Sequence, residues 1–192
     1  MTMRFFRHGI VLILCLLIAA SLLFDQAEHF RDVSANIEYE EMMEKYRYDE
    51  YEQLYLHVIM ETYGADNPNF TSQSRAMQAL HVVLIFDMEI QNGGVAQFFW
   101  NQGSTYAVLV PEMLREMGLD DVAALYEDFI AANYIQMEEI DSYREQFPDL
   151  IGLYDFHPFD SFDEAYMKIW EETNFNGRVL QYAGLHPEIY EK

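Results

Sequence analysis

The chain has 192 residues, and its 33 acidic against 11 basic residues give a formal net charge of −22 at pH 7. A field of that sign repels nucleic acid and favours basic partners, so the composition argues against direct nucleic-acid binding. The charge bears on partners and leaves the fold open.

The N-terminus has the layout of an export leader. Arg4 and Arg7 precede an uncharged apolar run from Gly9 to Phe24, and acidic residues follow from Asp25 onward. The run is shorter than the roughly 20 apolar residues of a typical transmembrane helix, so it fits either a signal anchor or a signal peptide. We favour an uncleaved anchor, which predicts a membrane-anchored protein whose domain is extracytoplasmic. A secreted or periplasmic protein after cleavage is the alternative.

The composition divides the chain into three segments. Residues 1–24 are the signal anchor or signal peptide, residues 25–50 an acidic, tyrosine-rich lead-in helix or connector, and residues 51–190 a helical domain. Apolar residues recur at helical spacing through the last segment, and alternating strand patterns are nearly absent. The prediction is an all-α fold, a compact single-domain helical bundle behind a membrane leader. Cys15 is the single cysteine and lies in the leader, so the exported part would hold no disulfide.

The first predicted helices surround a central one. An apolar stripe over residues 51–62 predicts a helix that ends near Gly64, and Thr71 or Ser72 can cap the next helix. Residues 76–90 are apolar on nearly all sides, which predicts a helix with neighbours packed around it.

Glycines divide the middle of the chain into further helices. The Gly93-Gly94 pair ends the central helix, and Gly103 closes a short aromatic helix over residues 95–102. A helix over 104–117 follows, with Pro111 in its first turn or at a kink.

The last third is predicted as one long and two shorter helices. Asp120 or Asp121 caps a helix that continues at a period near 3.6 until Pro148 stops it. A loop holding Gly152 separates it from a helix over 162–172 and from a helix that runs from residue 177 to the end and is interrupted around Pro187.

Residues 89–101 read Glu-Ile-Gln-Asn-Gly-Gly-Val-Ala-Gln-Phe-Phe-Trp-Asn. This stretch resembles the signature of the bacterial DNA-mimic protein family, once known only as a domain of unknown function, with Val95 where the family usually has phenylalanine. The resemblance extends over about 51–190 and includes the stretch 159–166. It implies an all-helical, strongly acidic homodimer; the best-understood member resembles DNA in charge layout and occupies the nucleic-acid face of a transcription regulator. The motif residues are Glu89, Asn92, Gly93, Gly94, Gln97, Phe98, Phe99 and Asn101.

Residue chemistry alone predicts a structural role for this motif. The Asn-Gly-Gly segment lets the chain reverse, while Glu89 or Asn92 can accept hydrogen bonds from the backbone N–H groups of the turn. The aromatic residues that follow are expected to anchor the short helix in the core. Gln97 and Asn101 lie four apart on one helix face, and a ligand-reading role for these two is the alternative.

Two acidic stretches are candidates for binding a basic partner. Duplex DNA carries about one charge per 1.7 Å of axis, so a protein mimic needs carboxylates spread over a helical face. The alternative is an acidic surface that only faces water. The candidate residues are Glu38, Glu40, Glu41, Glu44, Asp49, Glu50, Glu52, Glu127, Asp128, Glu138, Glu139, Asp141 and Glu145.

Metal or acid–base chemistry has weaker support. His57 and Glu61 would share a helix face, and His81 lies with Asp87 or Glu89 on the central helix, but neither set has the two-histidine spacing of a zinc helix. A histidine bonded to a carboxylate accounts for each. The sequence also lacks a glycine-flanked serine and a phosphate-binding glycine loop.

The prediction is therefore an acidic protein-interaction domain, membrane-tethered or exported, that binds a basic protein surface. We expect no catalytic residues, no metal and no cofactor. An envelope hydrolase or metal-dependent enzyme is one alternative, and a non-catalytic helical scaffold whose charge only maintains solubility is the other.

Overall fold

The computed structural model describes residue 41, residues 43–62 and residues 70–191. The chain divides into two compact units, Met1–Lys45 and Tyr46–Lys192. The predicted leader at 1–24, and Glu38 and Glu40 of the predicted connector, lie outside the described residues. Within the ranges that are described, no helix has the length and apolar character needed to cross a membrane. Residues 41 and 43–45 of the first unit are helical.

The second unit is all-helical over its described residues, as the periodicity predicts. The α-helices are α1 Tyr48–Thr62, α2 Arg75–Ala107, α3 Val110–Glu116, α4 Asp120–Ala132, α5 Met137–Gln146, α6 Leu150–Tyr154, α7 Phe159–Glu172 and α8 Phe175–Leu185. Short 3₁₀ helices cover Phe70–Ser72 and Pro187–Tyr190.

Helix α2 lies at the centre of this unit. It packs against α1, α3, α5, α6, α7 and α8. Its residues from 76 to 87 are buried, with Gln78 alone half-buried. A helix without a polar stripe needs neighbours on every side, so the central position predicted for residues 76–90 is confirmed.

Glycines break α2 into three segments. Non-helical backbone occurs at Gly93 (φ −164°, ψ 24°), Gly94 (φ 77°, ψ 174°) and Gly103 (φ 63°, ψ −165°), which leaves segments over 75–92, 95–102 and 104–107. Both predicted breaks are confirmed. The predicted cap at Thr71 or Ser72 is wrong, because those residues lie in a 3₁₀ turn and the Ser74 side chain accepts the Met77 N–H at 3.2 Å instead.

The single long helix predicted from residue 120 to Pro148 is wrong. The chain forms two helices, α4 and α5, separated by a turn in which Tyr134 has a φ of 56°. The residue before α4 is Leu119, so Asp120 and Asp121 do not occupy the cap position. They lie in the first turn, where their charges face the positive end of the helix dipole.

Three other boundaries also differ from the prediction. The predicted helix over 104–117 is divided at Val108 and Leu109, and Pro111 lies in the first turn of the separate helix α3. The predicted loop at Gly152 is helix α6, which Asp149 caps by accepting the Gly152 N–H at 2.9 Å. Helix α7 begins at Phe159, earlier than predicted.

Aromatic side chains fill the core between α2, α4 and α7. Phe86 of α2 makes edge-to-face contacts with Phe98, Tyr126 and Tyr166, with ring centroids 5.1, 5.5 and 5.7 Å apart. All four rings are buried. Such pairs contribute about 0.5–1.5 kcal/mol each beyond the burial of their area, so this cluster holds the broken central helix to its neighbours.

Candidate interaction site at the broken central helix

Side-chain amides converge on the carboxylate of Glu89. Gln97 Nε2 and Asn101 Nδ2 donate to Oε2 at 2.7 and 2.8 Å, and Gln102 Nε2 donates to Oε1 at 2.8 Å. Glu89 lies in the last turn of the first segment of α2, and the amides lie on the second. The carboxylate therefore joins the two segments across the glycine break, and Gln102 is a member that the sequence pattern does not indicate.

The predicted acceptor for the backbone of this turn, Glu89 or Asn92, is wrong. The Val95 N–H donates to Asp163 Oδ1 of α7 at 2.8 Å. The Tyr154 hydroxyl donates to the Gly93 carbonyl. Asp163 thus caps the second segment from a distance of 68 residues along the chain, which local sequence reasoning does not reach.

Burial raises the pKa of Asp163 to about 6, although the hydrogen bond from the Val95 N–H lowers it, and the nearby Asp160 raises it further. The ionised carboxylate is therefore less stable in the fold than in water.

The two glycines allow this close approach. A Cβ on Gly94 would meet the Asp163 carboxylate and the Tyr154 hydroxyl, and a Cβ on Gly93 would meet the side-chain amide of Gln97. Gly94 also has a positive φ that other residues rarely adopt. Both positions therefore serve packing as well as the reversal of the chain.

A cleft of about 610 Å³ opens beside these amides. We call it the motif cleft. It has an apolar side from α1 and the first segment of α2, and a polar side that includes four residues of the sequence motif. Its lining residues are Tyr55, Ile59, Ile85, Met88, Glu89, Asn92, Gln97, Asn101 and Gln102. Burial, and then the charge of Glu89, raise the pKa of Tyr55, which keeps its hydroxyl neutral beside the carboxylate.

The remaining aromatic motif residues belong to the core. Phe98 and Phe99 are buried against neighbouring aromatic rings, with 5.9 Å between the two centroids. Neither reaches the motif cleft. The motif therefore contributes only polar residues to the lining of the cleft.

Asp87 lies on the same helical segment as Ile85 and Met88 but is fully buried and does not line the cleft. The Tyr51 and Tyr166 hydroxyls each donate to it at 2.6 Å, and Gln91 Nε2 lies 2.8 and 2.9 Å from its two oxygens. Burial raises the pKa of Asp87, and these hydrogen bonds oppose the shift. The carboxylate connects α1, α2 and α7, which is a structural role.

The structure places His81 with hydroxyl groups. Its Nδ1 lies 2.7 Å from Thr62 Oγ1, and its Nε2 lies 3.1 Å from the Tyr106 hydroxyl. The Thr62 hydroxyl donates to the Val58 carbonyl at 2.6 Å, so Nδ1–H donates to Thr62 and Nε2 accepts from Tyr106. Burial lowers the pKa of His81 to about 4, and the ring is neutral at pH 7.

The expected histidine–carboxylate bonds are wrong at both candidate positions. His81 contacts the two hydroxyl groups described above, and His57 Nε2 lies 2.8 Å from the Ile189 carbonyl oxygen. Over the described ranges, no group of three or more His, Cys, Asp or Glu side chains is arranged to hold a metal ion.

The acidic candidate residues lie on several elements. Glu41 and Glu44 are exposed in the first unit. In the second unit, all the candidates are exposed except Glu139, which is half-buried: Asp49, Glu50 and Glu52 on α1, Glu127 and Asp128 on α4, and Glu138, Glu139, Asp141 and Glu145 on α5.

Some of these carboxylates already have partners within the chain. Glu50 and Glu127 form ion pairs with Arg47 and Arg115. Asp141 accepts from the N–H and hydroxyl of Ser104 at 2.7 and 2.6 Å, which holds the pKa of Asp141 below its ordinary value. This bond caps the third segment of α2, so Asp141 has a structural role.

The arginines of the described part are all engaged within the chain. Besides the two ion pairs above, Arg75 bonds Glu112 and Glu116, Arg178 bonds Asp121, and Arg144 donates to backbone carbonyls. The described carboxylates of the second unit are exposed with few exceptions: Asp87 is buried, and Glu89, Asp121, Glu139 and Asp163 are half-buried. The surface potential is therefore set by carboxylates.

Comparison with known proteins identifies a family. The model of a family described as DMP19-like protein matches residues 71–186, which include the motif, Asp163 and most of the acidic surface. No curated protein and no solved structure matches the chain.

Proposed function

This chain belongs to the DMP19-like protein family, and from that premise we propose that it is a non-catalytic protein that binds a basic protein surface through its exposed carboxylates. The observation that carries the proposal is the charge arrangement of the second unit. Most of its described carboxylates face solvent, while each described arginine is already bonded within the chain. The resemblance to DNA-mimic proteins supports a partner whose basic face otherwise meets a polyanion.

The energetics of such a surface predict salt-sensitive binding. A single exposed ion pair contributes about 0–1 kcal/mol, so affinity arises from many pairs together and from steering of the partner before contact. Exposed charges are screened beyond about 8 Å at physiological ionic strength. Raising the salt concentration should therefore slow association and weaken binding.

Charge-neutralising substitutions test this proposal on the full chain. Asp128, Glu138 and Glu145 are exposed on α4 and α5, so Asp128→Asn, Glu138→Gln and Glu145→Gln remove three charges without touching the core. The matched control keeps the charges with Asp128→Glu, Glu138→Asp and Glu145→Asp. Immobilised protein is used to capture partners, which are eluted with stepwise salt or with duplex DNA.

We expect the wild type and the charge-preserving variant to capture the same basic protein, and the neutralised variant to bind it more weakly and release it at lower salt. Duplex DNA should displace that protein because both occupy its basic face. Capture that is insensitive to salt and unchanged by neutralisation would refute the proposal.

We further propose that the domain is tethered to a membrane by residues 9–24 and lies outside the cytoplasm. The support is the order of Arg4 and Arg7, the apolar run and the acidic residues that follow. A basic partner would then be a cationic toxin, nuclease or peptide of the envelope or medium. Fractionation and protease accessibility of a protein tagged at Lys192, with the run intact or deleted, test this placement; a soluble cytoplasmic protein would instead point to regulators that bind DNA.

A further inference from the structure

We propose that the motif cleft binds an arginine side chain of the basic partner. This inference rests on the proposed function, because it names the group by which the partner is recognised. The cleft volume of about 610 Å³ admits side chains. Ligand-binding clefts typically measure about 300–1,000 Å³.

The two sides of the cleft match the two parts of an arginine side chain. Ile59 and Met88 offer apolar surface to its alkyl stem, and the ring of Tyr55 offers a face for stacking of the guanidinium. The polar side offers the Glu89 carboxylate and the side chain of Asn92. A guanidinium is a planar group with five N–H donors and no acceptor, so it needs this kind of acceptor-rich wall.

The hydrogen bonds of Glu89 leave room for one more donor. Oε2 accepts two of the side-chain amides and Oε1 accepts one. A carboxylate has about four acceptor positions, so the described residues leave one position on Oε1 for an incoming N–H.

The same hydrogen bonds prepare the site before binding. The amides of Asn101 and Gln102 point their NH₂ groups at the carboxylate, and the C=O of an amide diverges from its NH₂, so their oxygens face away from Glu89. No described lysine or arginine lines the cleft. The carboxylate is thus held in place with no cationic side chain beside it among the described lining residues, which lowers the ordering cost of binding a cation.

Peptide titrations of the full chain in a zwitterionic detergent test this inference. The probe is a blocked peptide with one arginine among neutral residues, and its control carries citrulline, which has nearly the same shape and no charge. The side-chain amide NMR signals of Gln97, Asn101 and Gln102 report occupancy of the cleft directly. We expect saturable shifts of these signals with the arginine peptide only.

Three variants separate the cleft from the general charge. Glu89→Gln removes the carboxylate. Met88→Lys places a cation at the exposed rim of the cleft and leaves the hydrogen bonds to Glu89 intact, so Met88→Lys remains informative if Glu89→Gln unfolds the protein. Asp128→Asn removes an equal charge at a residue that does not line the cleft. We expect binding of the arginine peptide to be at least about tenfold weaker in Glu89→Gln and Met88→Lys, and less than about twofold weaker in Asp128→Asn. A tenfold loss corresponds to about 1.4 kcal/mol, which is ordinary for a charge-assisted hydrogen bond.

The outcomes distinguish this inference from the proposed function. Equal binding of the citrulline peptide, or equal losses in Asp128→Asn and Met88→Lys, would overturn the cleft assignment. If neutralisation of the surface still weakens partner capture in that case, the proposed function stands without the cleft. If neutralisation leaves capture unchanged, the proposed function fails whatever the peptide does.

Discussion

Replacing Gly94 by alanine should be strongly destabilising, for two separable reasons. Its φ of 77° and ψ of 174° lie in a region that is essentially restricted to glycine, and a residue with a Cβ costs about 1–3 kcal/mol there. The added Cβ would also meet the Asp163 carboxylate and the Tyr154 hydroxyl, and both groups would have to move away from the turn. Losing a hydrogen bond to an ionised group adds about 1.5–3 kcal/mol, so we expect a total of about 2.5–6 kcal/mol.

Two other glycines provide matched controls. Gly118 has a φ of 71°, and a Cβ added there would meet no atom within 4 Å, so Gly118→Ala should cost only the conformational part, about 1–2 kcal/mol. Gly184 lies in helix α8 with open space and no positive φ, so Gly184→Ala should stabilise the protein by about 0.5–1 kcal/mol.

Urea unfolding of the full-length variants, followed by far-ultraviolet circular dichroism, measures all three free energies of unfolding. The predicted order of stability is Gly184→Ala above wild type, then Gly118→Ala, then Gly94→Ala. If Gly94→Ala costs no more than Gly118→Ala, the close approach of Asp163 and Tyr154 does not contribute and the packing argument is refuted.

Three further substitutions probe individual contacts. Because the pKa of Asp163 is raised to about 6 in the fold, the folded protein binds more protons between about pH 4 and 6 than the unfolded chain does, and its free energy of unfolding should fall as the pH rises through that range. Asp163→Asn should flatten this dependence of stability on pH. An unchanged dependence would contradict the raised pKa of Asp163. Tyr166→Phe removes a donor from the buried Asp87 and should cost about 1.5–3 kcal/mol by urea unfolding, whereas Tyr134→Phe, at an exposed ring, should cost nothing measurable. Asp141→Ala removes the cap on Ser104 and should lower the free energy of unfolding in the same assay; no loss would show that water replaces the cap.

The fold could be predicted where local chemistry decides it. Apolar periodicity indicated the helices, and glycine indicated both breaks in α2, because glycine is the residue that accepts those backbone angles. The division between α4 and α5 could not be predicted, since the apolar period continues across it and the turn depends on Tyr134, a residue with no intrinsic preference for a positive φ.

The candidate site could be predicted only in part. The spacing of Gln97 and Asn101 placed them on one face, but their shared acceptor, Glu89, became evident only once the break had folded the second segment back beside the first. The bond between Asp163 and the Val95 N–H could not be predicted, because it forms only when α7 packs against α2 and no residue near Asp163 in the sequence indicates it.

The bond from Val95 to Asp163 also bears on how the chain acquires its structure during synthesis. The 68 residues between donor and acceptor take about 3–14 s to be made at common elongation rates of about 5–20 residues per second. During that interval the second segment of α2, with its two phenylalanines, has neither its cap nor the aromatic rings of α7. The centre of this protein is thus completed by one of its last elements. A nascent chain that stalls before α7 would carry the second segment of α2 without its cap and without the contact between Phe99 and Phe159.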